Sequence, residues 1–225
     1  MDGTTAGTGA GPGTGRRGAW GAIAVVLLIG VHLLRGGTGE LRAAGPPQPV
    51  AAAAPDGPRA GLAALAPLRA PAPLPASPPV RVRVPAVRID APVTRVGLDA
   101  DGWIEAPPPE EDRLAGWFTG AVTPGERGTA VVVGHVDTPG GRAVFYDLGA
   151  LGKGHRVEIL RRDGRTAVFA VYGVEVVPKE GFPAERVYAD SGVPELRLIT
   201  CGGTFTQGSG YAGNVVVSAR LVEVR

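Results

Sequence analysis

The chain has 225 residues, a formal net charge of +2, 36 glycines, 22 prolines, three histidines and one cysteine. That length holds one domain of ordinary size plus a further segment, and so much Gly and Pro requires part of the chain to be loop-rich or unfolded. The small net charge gives no electrostatic footprint for nucleic acid. A single cysteine excludes an internal disulfide and a cysteine-based structural zinc.

Residues 1–17 are rich in Gly, Thr and Ala and end in Arg16-Arg17, which predicts a disordered tail. Residues 18–34 run apolar for about 17 residues, the short end of a membrane span. A cleaved signal peptide and an uncleaved signal anchor both fit the pattern. The anchor is preferred because the run exceeds a typical signal core of about 7–15 residues. The best cleavage candidate, Ala43-Ala44-Gly45, also lies late. The arginines before the run predict a cytoplasmic N-terminus and an exported remainder, with membrane lipid as the first partner. Residues 35–79 are Pro/Ala/Gly with no surviving period, an extended and semi-rigid spacer.

The folded domain is expected over residues 80–225. Val80-Arg-Val-Arg-Val alternates as a half-buried strand does, and Val87–Val93 follows. Asp99-Ala-Asp-Gly102 reads as a turn, Pro107-Pro108-Pro109 as a break, and Glu110–Trp117 as a short helical turn. Thr129–Val133 is a buried-type strand, and the apolar spacing of Ala143–Leu151 suits a short helix. Strands are expected at His155–Arg161, Thr166–Val177, Leu196–Thr200 and Asn214–Val224. Many short strands with little helix predict a mainly β fold, a closed or nearly closed barrel with one or two short helices.

Two strand ends carry the chemistry. Cys201 follows Leu196–Thr200 and precedes Gly202-Gly203, which are expected to end the strand and open a turn. Most free cysteines are small core residues, but this one belongs to an exported segment, where oxidants threaten an exposed thiol. Its retention at a strand end favours a nucleophile, whose thiolate needs a cationic or hydrogen-bonding neighbour. His135, after Gly134 at the end of the most apolar strand, is the candidate partner; alone it reads equally as a satisfied core histidine. His32 lies in the apolar run, and His155 opens a strand in a solvated position. Asp137 either orients the His135 ring or caps the turn Asp137-Thr-Pro-Gly. No cluster with metal-ligand spacing is present, so neither metal nor cofactor is expected.

Gly134-His135-Val-Asp together with Leu198-Ile-Thr-Cys201-Gly-Gly resembles the sortases, cysteine transpeptidases of Gram-positive cell surfaces. The second stretch is similar to that family's Thr-Leu-x-Thr-Cys signature. Its Gly-Gly resembles the class E/F type of high-GC Gram-positive bacteria. The likeness continues through Arg81-Val-Arg-Val-Pro, Ile89-Asp-Ala-Pro-Val, Gly116-Trp117-Phe, Pro124-Gly125-Glu126, Ala143-Val-Phe-Tyr and Asn214-Val-Val-Val-Ser-Ala, in order, over residues 80–225.

The resemblance implies a sortase-type barrel with Cys201 as nucleophile, His135 as proton donor to the leaving amine, and Thr200 near the developing oxyanion. It implies LPxTG-like sorting-signal peptides as substrates, cleaved between Thr and Gly. The acceptor would be an amine of a peptidoglycan cross-bridge or a pilin lysine. One departure stands out. The family's transition-state arginine is missing, and Ala212 or Asn214 occupies its region, while Arg220 lies further along. A catalytically weak or inactive sortase-like binding domain is therefore the alternative. An exported cysteine hydrolase, differing only in its acceptor, is a third reading.

Overall fold

A computed structural model describes residues 45–49 and 71–225 of the chain. The tail of residues 1–17 and the apolar run of residues 18–34 lie outside the described residues, as does most of the spacer. Among the described residues no helix is long and apolar enough to cross a membrane.

The architecture is a closed barrel. Its strands are β1 (Pro79–Val84), β2 (Ile89–Val96), β3 (Ala115–Phe118), β4 (Gly128–Val133), β7 (Arg156–Arg161), β8 (Thr166–Pro178), β9 (Pro194–Thr206) and β10 (Gly210–Val224), hydrogen-bonded in the order β1-β2-β3-β4-β9-β10-β8-β7. A separate two-stranded ribbon, β5 (Asp137–Thr138) with β6 (Gly141–Arg142), follows β4. Helix is limited to α1 (Ala184–Tyr188) and two 3-10 turns, Pro85–Val87 and Leu148–Ala150.

Alternation explains the closure. In β1, Val82 and Val84 point inward and are fully buried, while Arg83 between them is exposed. Ile159 of β7, Phe169 and Val171 of β8, Leu196 and Leu198 of β9, and Val215 and Val217 of β10 fill the same interior. Each such burial contributes about 1.5–3 kcal/mol. The Ala143–Leu151 stretch does not form a helix. Phe145 and Leu148 instead enter the core, and the chain turns in 3-10 geometry at Leu148–Ala150.

β4 and β9 run parallel and adjacent, with Val131 opposite Arg197 and Val133 opposite Ile199. They are buried on both faces. Inward residues join the barrel core, whereas Val131, Val133, Ile199 and Val216 form a second cluster on the outer face, covered by Val187, Phe182 and Tyr188. Parallel strands covered on both sides read as unbroken apolar runs, which is why Ala130–Val133 shows no alternation.

Three expectations need correction. Glu110–Trp117 is not a helical turn: two tight turns, Glu111 N–H to Pro108 carbonyl and Leu114 N–H to Glu111 carbonyl, deliver the chain into β3. β3 pairs with β2 in parallel and β4 in antiparallel fashion. Packing also begins before residue 80. Leu74 N–H donates to the Gly125 carbonyl, and the fully buried Arg161 guanidinium donates to the carbonyls of Pro75 and Pro124. Finally, Gly202 and Gly203 do not end their strand; β9 continues to Thr206. A Cβ on Gly202 would lie 2.5 Å from Val215 Cγ2, and Gly203 has φ +82° where the Gly202–Phe205 stretch of β9 carries one residue more than the facing Gly213 to Tyr211. Close strand approach and a bulge, not chain reversal, require glycine there.

Candidate active site

The parallel ladder between β4 and β9 ends with Gly134 N–H donating to the Ile199 carbonyl at 3.1 Å. His135 is the next residue, so it reaches the level of Cys201 on the neighbouring strand, where strands lie about 4.8 Å apart. On the far side of Cys201, β10 places Asn214 directly opposite. Three adjacent strands thus present His135, Cys201 and Asn214 in one row at the rim, above the apolar row of Val133, Ile199 and Val216.

All three of those rim residues open into one cleft of about 490 Å³. Val133 and Ile199 line its floor. Trp103, Ile104 and Ala106 form one wall; Lys179, Phe182 and Tyr188 form the other. The walls meet where Trp103 and Phe182 pack edge to face, with ring centroids 6.2 Å apart, and Tyr188 backs Phe182 at 5.7 Å. Trp103 is carried at the tip of a turn whose Asp99 carboxylate accepts the N–H groups of Asp101 and Trp103. A mostly apolar cleft with a few polar groups at one end is the usual form of a binding site.

The His135 ring is held from behind. Its Nε2 lies 2.7 Å from the Pro107 carbonyl oxygen. A carbonyl only accepts, so Nε2 carries a proton and Nδ1 is left as the basic nitrogen of the neutral ring. The proline run after β2 therefore supplies the orienting group. Asp137 does not orient the ring; its carboxylate accepts the Tyr211 hydroxyl at 2.5 Å. Burial and that hydrogen bond push the Tyr211 phenol well above its ordinary pKa, so it stays protonated and ties β10 to the ribbon after His135.

Polar groups around Cys201 are left open. The thiol is half-buried. The Thr200 hydroxyl is buried with no hydrogen-bond partner among the described residues. Among the described residues no hydrogen bond joins the thiol to the His135 ring. Two residues beyond the nucleophile, Gly203 N–H donates to Gln48 Oε1 at 2.9 Å, which brings the short segment of residues 46–49 to the barrel. Arg220 is committed elsewhere, to Glu195 at 2.9 Å.

Sequence reasoning singled out Cys201 and His135, and the structure brings both to one cleft. It missed the Pro107 carbonyl, a backbone group without a side-chain signal. It also missed Phe182, Tyr188 and Lys179, which a non-periodic loop and a five-residue helix deliver.

A family model for the sortase domain matches residues 82–222. The chain belongs to the sortase family, whose members are cysteine transpeptidases. Among solved structures it is similar to a lid mutant of sortase A from Corynebacterium diphtheriae, at 19% identity and TM-score 0.51, covering 66% of this chain and 73% of that one. It is also similar to sortase C-1 from Actinomyces oris, at 21% identity and TM-score 0.50, covering 64% and 73%. Sortase C1 of Streptococcus agalactiae, solved in complex with MTSET, matches at 21% identity and TM-score 0.50, covering 64% of this chain and 66% of that one. The chain thus spans just under two thirds of the streptococcal enzyme. No curated protein matches the sequence.

Proposed function

We propose that this chain is a sortase transpeptidase with Cys201 as nucleophile and His135 as proton carrier. It cleaves the Thr-Gly bond of an LPxTG-like sorting signal and passes the acyl group to an amine of the cell wall or of a surface protein. The observation that carries this reading is the convergence of Cys201 and His135, from parallel neighbouring strands, on one peptide-sized apolar cleft.

The thiol proton moves to Nδ1 of His135 as sulfur attacks the scissile carbonyl carbon, whose π pair shifts onto oxygen. Collapse of that adduct breaks the C–N bond, and the imidazolium returns the proton to the departing amine. The thioester on Cys201 is then attacked by the acceptor amine, which loses its proton to His135 while sulfur leaves. This is covalent catalysis divided into two easier steps. The aromatic wall of Trp103, Phe182 and Tyr188 suits the apolar leucine and proline of such a signal. We further propose that the apolar run of residues 18–34 anchors the enzyme with its domain outside the cell.

The test offers the full chain a sorting-signal peptide, with and without an added amine, and follows acyl-enzyme by mass spectrometry. We expect a thioester on Cys201, product diverted to the amine, and no turnover in Cys201→Ala. Peptide binding without acyl-enzyme would replace this reading with a binding domain. Turnover that ignores the amine would make the chain a hydrolase.

A further inference from the structure

We propose that Asn214 donates the hydrogen bond that meets the oxyanion formed when Cys201 attacks its substrate. The assignment rests on the acyl-transfer reading above. Attack places a full negative charge on an oxygen two bonds from the sulfur. A donor must therefore stand within a few ångströms of Cys201 and be free to turn toward that oxygen.

Asn214 meets both conditions. It is the residue directly across from Cys201 in the antiparallel pair of β9 and β10. Directly opposed residues share a face of the sheet, with Cα atoms about 4.5–5.5 Å apart. Both residues line the same cleft. The Asn214 side chain is half-buried, and among the described residues its amide makes no hydrogen bond. No contact within the described chain ties that amide down, so it is free to turn toward a ligand in the cleft. Just beyond this pair β9 bulges, its Gly202–Phe205 stretch facing only Gly213 to Tyr211 of β10, and bulges re-aim the side chains beside them.

The competing donors are worse placed. Among the described residues no arginine lines the cleft. Arg220, on the same strand, is held by Glu195. Lys179 does line the cleft, but it is exposed and sits beyond one further strand, its N–H donating to the Ala212 carbonyl at 3.0 Å. The amide gives up no proton in the step; it polarises and holds. The addition still balances, with the C–S bond formed, the π pair on oxygen and the thiol proton on His135.

The test compares wild type with Asn214→Ala, Asn214→Asp and Lys179→Met in the full chain, measuring kcat and KM on a sorting-signal peptide. In parallel, iodoacetamide alkylation of Cys201 is timed, because alkylation forms no oxyanion. We expect Asn214→Ala to lower kcat by about 100- to 1,000-fold, with KM and alkylation near wild type. The isosteric Asn214→Asp, which replaces a donor with a charge, should fall at least as far, and the loss of kcat in either Asn214 variant should exceed that in Lys179→Met. Normal kcat in Asn214→Ala, a parallel loss of alkylation, or a loss confined to Lys179→Met would each overturn the assignment. A wild-type chain that is alkylated yet never forms acyl-enzyme would instead fail the acyl-transfer reading, and this assignment with it.

Discussion

The outer face of β9 has two ends that treat polar groups in opposite ways. At its start, Glu195 is buried and accepts from the Tyr172 hydroxyl and the Arg197 and Arg220 guanidinium groups, each at 2.9 Å. Arg197 also donates to the Val187 carbonyl at 3.1 Å, and only its Nη1 lacks a partner. Six residues on, the Cys201 thiol and the facing Asn214 amide, with the Thr200 hydroxyl on the inner face beside them, have no hydrogen-bond partner among the described residues. Glu195 and Arg197 are buried, whereas Cys201 and Asn214 are half-buried at the mouth of the cleft. The first end answers nearly every group from within the chain and contributes stability. The second leaves its groups open, and this is where a ligand gains what the protein has not used.

The contrast is broken most severely at the ionic end. Glu195→Ala leaves the buried Arg197 without its carboxylate, a loss of about 3–5 kcal/mol. Denaturant unfolding should show the lower midpoint with an unchanged slope, while the surviving folded fraction keeps its Cys201 alkylation rate. A stability near wild type would mean that this network contributes little to the fold.

Next in size is Gly202→Ala. The new methyl would meet Val215 Cγ2 at 2.5 Å and the Val215 nitrogen at 3.2 Å, overpacking worth about 1–3 kcal/mol. Because Gly202 adjoins the nucleophile, the strain should also lower turnover, read as kcat alongside a melting curve.

Thr200→Val sharpens the comparison from the other side. The isosteric change removes a buried hydroxyl that has no partner, so stability should rise by about 1 kcal/mol. Turnover should fall, because Thr200 lines the cleft beside Cys201. A variant that is both more stable and fully active would assign the Thr200 hydroxyl no role.

The smallest expected effect is in acid. Burial opposes ionisation of Glu195, but hydrogen bonds from Arg220 and Arg197 outweigh it, and its pKa lies below the ordinary value. The hydrogen bond from Arg161 likewise holds Asp163 down. Carboxylates with depressed folded pKa values contribute stability above their unfolded values and lose it as protons bind. Melting temperature should therefore hold at neutral pH and decline below about pH 4.3, with the loss complete once pH has fallen through the lowered values. Glu195→Ala should show a shallower decline than wild type.

Much of the barrel was legible because alternation is a local signal. Val82 and Val84 with exposed Arg83 between them mark β1 without tertiary information, and β7, β8 and β10 were placed to within a few residues, whereas β9 runs six residues past its expected end. β3 was not, because Ala115–Phe118 is four residues long, buried at three of them, and has no period. The Gly-Gly after Cys201 was read as a stop because glycine permits a turn. It permits close strand approach equally well, and only the position of Val215 decides between them. Asp137 could be named as a nearby carboxylate, but its partner Tyr211 is 74 residues away.

What the sequence determined by itself was most of the strand inventory, the mainly β class, and the two residue types, thiol and imidazole, that follow apolar strand stretches. These follow from side-chain periodicity and from chemistry that each residue carries alone. Tertiary structure alone decided that β4 and β9 are parallel neighbours, so that His135 and Cys201 share a level. It also decided that the Pro107 carbonyl sets the proton on His135 and that Asn214 faces the sulfur. Those are relations between distant segments, set by strand register and barrel closure, and register depends on which faces bury together rather than on any one stretch of chain.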